Sequence, residues 1–347
     1  MWFERVSKRD GSVDSAGSAS SRLSLRADDN ATMHARAPMR PLLSRIRALA
    51  CAAVVMLAAA LPTAATANDS IEMIGADIVH REKSIYRNVM VAQTDTYRCM
   101  IFTRRIRILQ TCVDRRDQDR LVLTYSQGIM AAMIAQPKAK RILVIGLGGG
   151  VIARAMHDVS PGVEIDTVEI DPAVVDVAKQ YFGFRETAQI KSYVNDGRVF
   201  VRQQLRKNAR YDIIVIDACD SDFVPEHLLT QEFMRQVRTL LNPGGVLVAN
   251  SLAKGRLIPH ESATYLSVFG NVLSVDVEGE NRIILTGRDG DVDLDRLKRN
   301  APLLAERLRN VGVSAQGLLE ISKPVTFPKG VRPLTDQYSP ANLLFSD

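Results

Sequence analysis

From residue 141 onward, short runs of aliphatic and β-branched residues alternate with stretches of helical period. The runs Ile142–Ile145, Glu164–Glu169, Ser192–Val194, Asp212–Asp217 and Gly245–Asn250 read as strands, and helices fit between them at 151–158, 172–182, 197–206 and 230–241. Alternation of this kind builds a parallel sheet covered on both faces. Two more strand-like runs, Val272–Val277 and Asn281–Thr286, are followed by a helix over Asp293–Val311 and a Pro-rich tail. The pattern predicts an α/β domain, doubly wound, with a mostly parallel seven-stranded sheet. Upstream, residues 68 to about 115 alternate apolar with polar residues and are rich in Val, Ile, Tyr and Thr, as in a small antiparallel β region. Leu121–Gln136 has helical spacing, with Tyr125 near its start. The expected organisation is a small N-terminal β domain over 68–120 and the α/β domain over 121–347.

Residues 1–67 break the pattern. Over 9–38 Ser, Ala, Asp and Arg predominate without an apolar period, so 1–38 reads as disordered or as a start-site artefact, with translation beginning at Met33 or Met39. After Met39, Arg40, Arg45 and Arg47 precede an unbroken apolar run from Ala48 to Leu61, and Ala65-Thr66-Ala67 ends it. This is the three-part layout of a signal peptide with cleavage before Asn68. Left uncleaved, 39–67 would be a membrane anchor, which Pro62, Thr63 and Thr66 weaken. The protein is therefore expected to be exported, periplasmic or tethered to the inner membrane, and cytoplasmic if the segment does not function.

Location also changes what the charge means. Of a net +6, residues 1–67 carry +4, which leaves +2 for the other 280 residues and no nucleic-acid footprint. Of the four cysteines, Cys51 lies in the leader and Cys219 in a motif discussed below; no spacing suggests a zinc site. Cys99 and Cys112 are symmetric about Arg105/Ile106, which sets them opposite each other in a hairpin. They form a cross-strand disulfide if the protein is exported, or two half-buried thiols.

The first predicted strand runs into Gly146-Leu147-Gly148-Gly149-Gly150 and then a helix. Gly146, Gly148 and Gly150 permit a tight turn and close approach of a ligand to the backbone. Glu169, 23 residues after Gly146, ends the second strand, where a carboxylate suits ribose hydroxyls. Asp171 reads as the cap of the helix opened by Pro172. These features alone do not separate a nicotinamide enzyme from one that uses an adenosyl sulfonium. Asn195-Asp196-Gly197, with an Asp that can accept from an adenine amino group, and the turn Leu241-Asn242-Pro243-Gly244-Gly245 do so by their order and spacing. Together the motifs resemble the class I S-adenosylmethionine methyltransferase-like Rossmann fold. Asp217 and Asp220 follow the fourth strand; a carboxylate at Asp217 can take the proton of an attacking amine.

With Arg81–Tyr86, Tyr125 and Leu334-Thr335-Asp336 added, residues 78 to about 340 resemble the spermidine synthase family. The resemblance implies a small N-terminal β domain, a homodimer, and transfer of an aminopropyl group from decarboxylated S-adenosylmethionine to a diamine such as putrescine. The nucleotide is then a co-substrate, and no prosthetic group is expected. It further implies that Glu169 binds ribose, Asp196 and Gly197 flank adenine, Asp217 is the base, Asp220 holds the acceptor amine and Tyr125 lines its channel. Three positions depart from the family. Gly149 stands for an Asp that holds the donor's amino group, Ser126 for a His, and Arg87 for a Gln, the last two in the substrate-binding region. Cationic substrates need carboxylates, and Glu226 or Asp222 is a candidate replacement. Two alternatives stay open: a methyltransferase using ordinary S-adenosylmethionine, and a non-catalytic binder of adenosyl nucleotide or polyamine.

Overall fold

The computed structural model describes residues 71, 73, 75–103, 109–218, 225–252, 255–279 and 281–345. The segments 1–38 and 39–67 and the residues Cys219, Asp220 and Asp222 lie outside them. A single compact unit beginning at Asp69 contains both sheets.

The first sheet is an antiparallel meander of β1 (Asp77–Lys83), β2 (Asn88–Gln93), β3 (Tyr97–Ile101) and β4 (Thr111–Asp114). The two-residue period of a strand gives it two faces. Val89, Val91, Met100 and Val113 join the core of the larger domain, whereas Met90, Ala92, Cys99, Ile101 and Cys112 close a smaller cluster of their own. Cys99 pairs directly with Cys112 in the β3–β4 register, and the two are disulfide-bonded.

Two short helices follow, α1 (Thr124–Ile129) and α2 (Ala131–Ala135), where one continuous helix was expected; they are separated at Met130. The second sheet contains β5 (Arg141–Ile145), β6 (Glu164–Glu169), β7 (Ile190–Val194), β8 (Tyr211–Ile216), β9 (Leu241–Leu252), β10 (Val272–Val275), β11 (Asn281–Gly287) and β12 (Ser322–Pro324). Its order is β12-β10-β11-β9-β8-β5-β6-β7, with parallel pairing from β7 through β9 and antiparallel pairing beyond. The seven expected strands are joined by an eighth, β12, whose three residues pair with β10 and are too short to register as a periodic run.

The helices are α3 (Val151–Val159), α4 (Pro172–Tyr181), α5 (Gly197–Arg206), α6 (Gln231–Leu240), α7 (Leu257–Phe269), α8 (Leu294–Asn310), α9 (Ala315–Glu320) and α10 (Ala341–Phe345). Ile142 and Val144 of β5 pack into one core cluster and Leu143 and Ile145 into the other. Burial on both faces explains why the central strands are continuously apolar. The chain winds from β5 through β6 to β7, then returns to place β8 on the other side of β5. That reversal opens a crevice beyond the carboxyl ends of β5 and β8, where ligands bind in folds of this kind.

Candidate active site

A cavity of about 530 Å³ occupies the crevice. Its floor follows the sheet order: Asn195 and Asp196 beyond β7, Glu169 and Ile170 at β6, Gly146 and Gly148 after β5, Asp217 after β8, and Asn250 in β9. Glu278, Gly279 and Asn281, at the antiparallel entry to β11, extend it. The N-terminal sheet contributes Tyr86, Arg87, Phe102, Leu109 and Gln110 to the opposite wall, and α1 contributes Thr124 and Tyr125.

Glycine is required at the base of the site. Gly146 has φ +96°, and a Cβ there would lie 2.0 Å from the carbonyl oxygen of Asp217. Gly148 lines the cavity, but Gly150 does not; it caps α3 in the left-handed region, and Phe184 occupies the space a side chain would need.

Glu169 is half-buried at the end of β6 and accepts hydrogen bonds from the Leu147 and Asp171 amides, both at 3.0 Å. Burial raises its pKa, partly offset by these two amides and by the positive charge of Arg87. The Arg87 guanidinium sits 4.5 Å above the Phe102 ring. Asp171 caps α4, as expected, by accepting from Ala173, and it also accepts from the Ser84 hydroxyl at 2.6 Å. That bond ties the β1–β2 turn to the start of α4. Asp196 caps α5 through Val199, and its other oxygen lies 2.9 Å from His227 Nε2. Gly197 follows it into the wall, where an added Cβ would meet Ile145.

Asp217 is a half-buried carboxylate in the centre of the crevice. Removal from water pushes it up to about 6; the amide of Asn250, donating at 2.8 Å, opposes this, and the charge of Glu169 adds to it. Tyr125 lines the cavity and donates to the Gln110 carbonyl at 2.6 Å. Burial and the negative charge of Asp217 hold its pKa well above the ordinary tyrosine value, so it acts as a neutral donor and not as a base.

Two expectations from sequence are corrected. Ser126 does not reach the cavity: it is buried, and its hydroxyl donates to the Leu123 carbonyl at 2.7 Å. Glu226 does not compensate for a missing acid, because its carboxylate receives the amide and side chain of Asn342. Conversely, His227, Asn250, Glu278 and Asn281 line the cavity without having been singled out. Asn250 lies near the carboxyl end of its strand, and the rule that ligands lie at carboxyl ends of strands would have found it. Asn281 opens β11, a run read as a strand but not at its amino end as a site, and His227 and Glu278 lie in short connections that carry no periodic signal.

The arrangement places three carboxylates, Glu169, Asp196 and Asp217, along one crevice at the carboxyl ends of the parallel strands. Comparisons with known proteins point the same way. The family described as Spermine/spermidine synthase domain matches residues 123–277. A probable spermidine synthase structure from Corynebacterium glutamicum aligns with TM-score 0.58, covering 75% of this chain and 97% of its own; at 18% identity this likeness concerns the fold. An eEF1A lysine and N-terminal methyltransferase of Xenopus laevis is 27% identical over 237 residues, which cover 62% of this chain and 34% of that protein. A polyamine aminopropyltransferase of Vibrio vulnificus is 36% identical over 272 residues, 77% of this chain and 91% of that protein. With nearly the whole of that relative matched, the chain belongs to the polyamine aminopropyltransferase, or spermidine synthase, family.

Proposed function

We propose that the protein is an aminopropyltransferase that alkylates a diamine such as putrescine, using an adenosyl sulfonium as the donor. The observation that carries this reading is Asp217, a half-buried carboxylate with a pKa of about 6 that lines the cavity at the switch point of the sheet. An alkylammonium must lose a proton before its nitrogen can attack an electrophilic carbon, and a base poised near the working pH accepts that proton most effectively. Glu169 would hold the ribose and Asp196 with Gly197 the adenine. Asp196 would exchange its His227 contact for the adenine amino group. Attack on the carbon next to the sulfonium forms the N–C bond, breaks the C–S bond and releases neutral methylthioadenosine. Glu278 supplies negative charge at the acceptor end of the cavity, and Tyr125 lines that channel as a neutral phenol. Asp220, outside the described residues, retains its proposed role with the acceptor amine.

Incubating the protein with decarboxylated S-adenosylmethionine and a panel of diamines, with methylthioadenosine release as the readout, tests the reading. Release that requires a diamine supports it, and no release with any diamine overturns it. We also infer export: the 39–67 leader predicts a mature chain starting at Asn68, and the Cys99–Cys112 bridge supports an oxidising compartment. Sequencing the mature N-terminus tests this; an intact leader on soluble cytoplasmic protein overturns it.

A further inference from the structure

The C-terminal motif Leu334-Thr335-Asp336 is stitched to the wall of the cavity through α5, α6 and α7. The Leu334 carbonyl accepts from the Gln231 amide at 2.9 Å, and the Leu334 amide donates to the Thr264 hydroxyl at 2.8 Å. Asp336 receives both terminal nitrogens of the buried Arg198 guanidinium, at 2.7 and 2.6 Å. A bidentate pair of this kind fixes the guanidinium plane. The same guanidinium donates to the His227 carbonyl at 3.1 Å.

His227 is thereby held at two points, both from the start of α5. Arg198 holds its carbonyl, and Asp196, the N-cap, receives its imidazole Nε2 at 2.9 Å. A ring nitrogen facing a carboxylate oxygen at that distance is the one that carries the proton. The second Asp196 oxygen accepts from the Val199 amide at 2.8 Å, which fixes the carboxylate plane. Asp196 and His227 both line the cavity, so an acceptor and a donor stand side by side on its wall. Ile145 and Leu228 lie beside Gly197 and line the same stretch, offering apolar contact to a flat ring.

Adenine presents the complementary edge: its amino group donates, and the ring nitrogens on either side of that group accept. An amino group that takes the Asp196 oxygen releases the imidazole N–H. A donor released under a bound base needs an acceptor of its own, and adenine brings one in the adjacent position. Resting on the adenosyl-nucleotide reading of the proposed function, we propose that His227 is a specificity-determining residue. It reads adenine together with Asp196 by donating to a ring nitrogen beside the amino group, and Asp336 positions it through Arg198. A base with a carbonyl in place of the amino group would set oxygen against oxygen at Asp196 and be rejected.

Competition calorimetry on the full-length protein tests this with methylthioadenosine and its 1-deaza and 7-deaza analogues, each of which keeps the amino group and lacks one ring nitrogen. His227→Leu should weaken methylthioadenosine binding about tenfold and cost much less with one of the two analogues, the one without the nitrogen that His227 reads. His227→Gln, whose amide N–H reaches about as far as Nε2, should recover most of the loss. Asp336→Asn should weaken methylthioadenosine binding in the wild type and add little in the His227→Leu background, a coupling that a merely structural tail would not produce. An equal cost of His227→Leu for all the ligands, or no cost, overturns the reading role while the nucleotide site stands. Equal costs of Asp336→Asn in both backgrounds overturn the positioning role. Methylthioadenosine that does not bind the wild type at all removes the proposed function and the inference together.

Discussion

Replacing Asp217 with asparagine should change activity and stability in opposite directions. The side chain is half-buried at the cavity floor, and its pKa lies near 6 against an ordinary 3.8, with loss of hydration as the main cause. A carboxyl whose folded pKa is raised favours the folded state at low pH. As pH rises, the unfolded chain ionises first, near 4, and the stabilisation is lost progressively until the folded group has ionised above about 6. The separation corresponds to roughly 3 kcal/mol of destabilisation at pH 8 relative to acid. Asparagine carries no charge, and its carbonyl can still accept from Asn250, which donates to Asp217 at 2.8 Å. Asp217→Asn should therefore raise the unfolding free energy by up to about 3 kcal/mol at pH 8 and by little near pH 4. Turnover should fall by about 10²–10⁴-fold, because the amide cannot accept the proton, while methylthioadenosine affinity changes little. Urea melts at both pH values and steady-state rates give the two readings. A stability difference independent of pH would show that Asp217 does not carry a buried charge, and undiminished turnover would remove it as the base.

Glu169→Ala should weaken methylthioadenosine binding by about 1.5–3 kcal/mol; an unchanged calorimetric Kd would take the ribose away from this residue. Gly149→Asp should destabilise the protein by about 1–3 kcal/mol through overpacking against Thr111 and Phe182. Adding Thr111→Ala should recover most of that loss, and equal urea midpoints for wild type and the single variant would show that the space is open. Reducing the Cys99–Cys112 bridge, which closes a loop with sequence separation 13, should lower stability by about 3 kcal/mol on the chain-entropy account. Identical denaturation curves with and without reductant would argue against the bridge.

The strand-and-helix order was legible because each central strand is buried on both faces and each helix keeps one apolar stripe. Leu143 and Ile145 face one cluster while Ile142 and Val144 face the other, so the whole run is apolar. The cap at Asp171 was readable from local chemistry, since a carboxylate one position before a helix satisfies its free amides, whereas the cap at Asp196, read only as an acceptor for adenine, emerged from the structure. Ser126 was misread because adjacency to Tyr125 along the chain does not set direction: on a helix, neighbours point about 100° apart. Met130 interrupts the helix expected over 121–136 although its side chain fits the apolar period. Glu226 was misjudged because its partner, Asn342, is more than a hundred residues away, a separation no local pattern encodes. Thr111 gave no signal at all; its place over Gly149 depends on the pairing of β4 with β3.

The contact at Gly146 has a dynamic consequence. Its amide donates to Val168, and the Asp217 amide donates to Ile145, so the ends of β6, β5 and β8 are joined by backbone bonds of 2.8 and 2.7 Å. Glu169 and Asp217, the proposed ribose site and base, therefore stand on strand ends tied together through the backbone, so the main-chain positions that set their spacing do not depend on rotamers. The entropy of holding those strand ends in register is lost once, on folding, and is not lost again at each turnover.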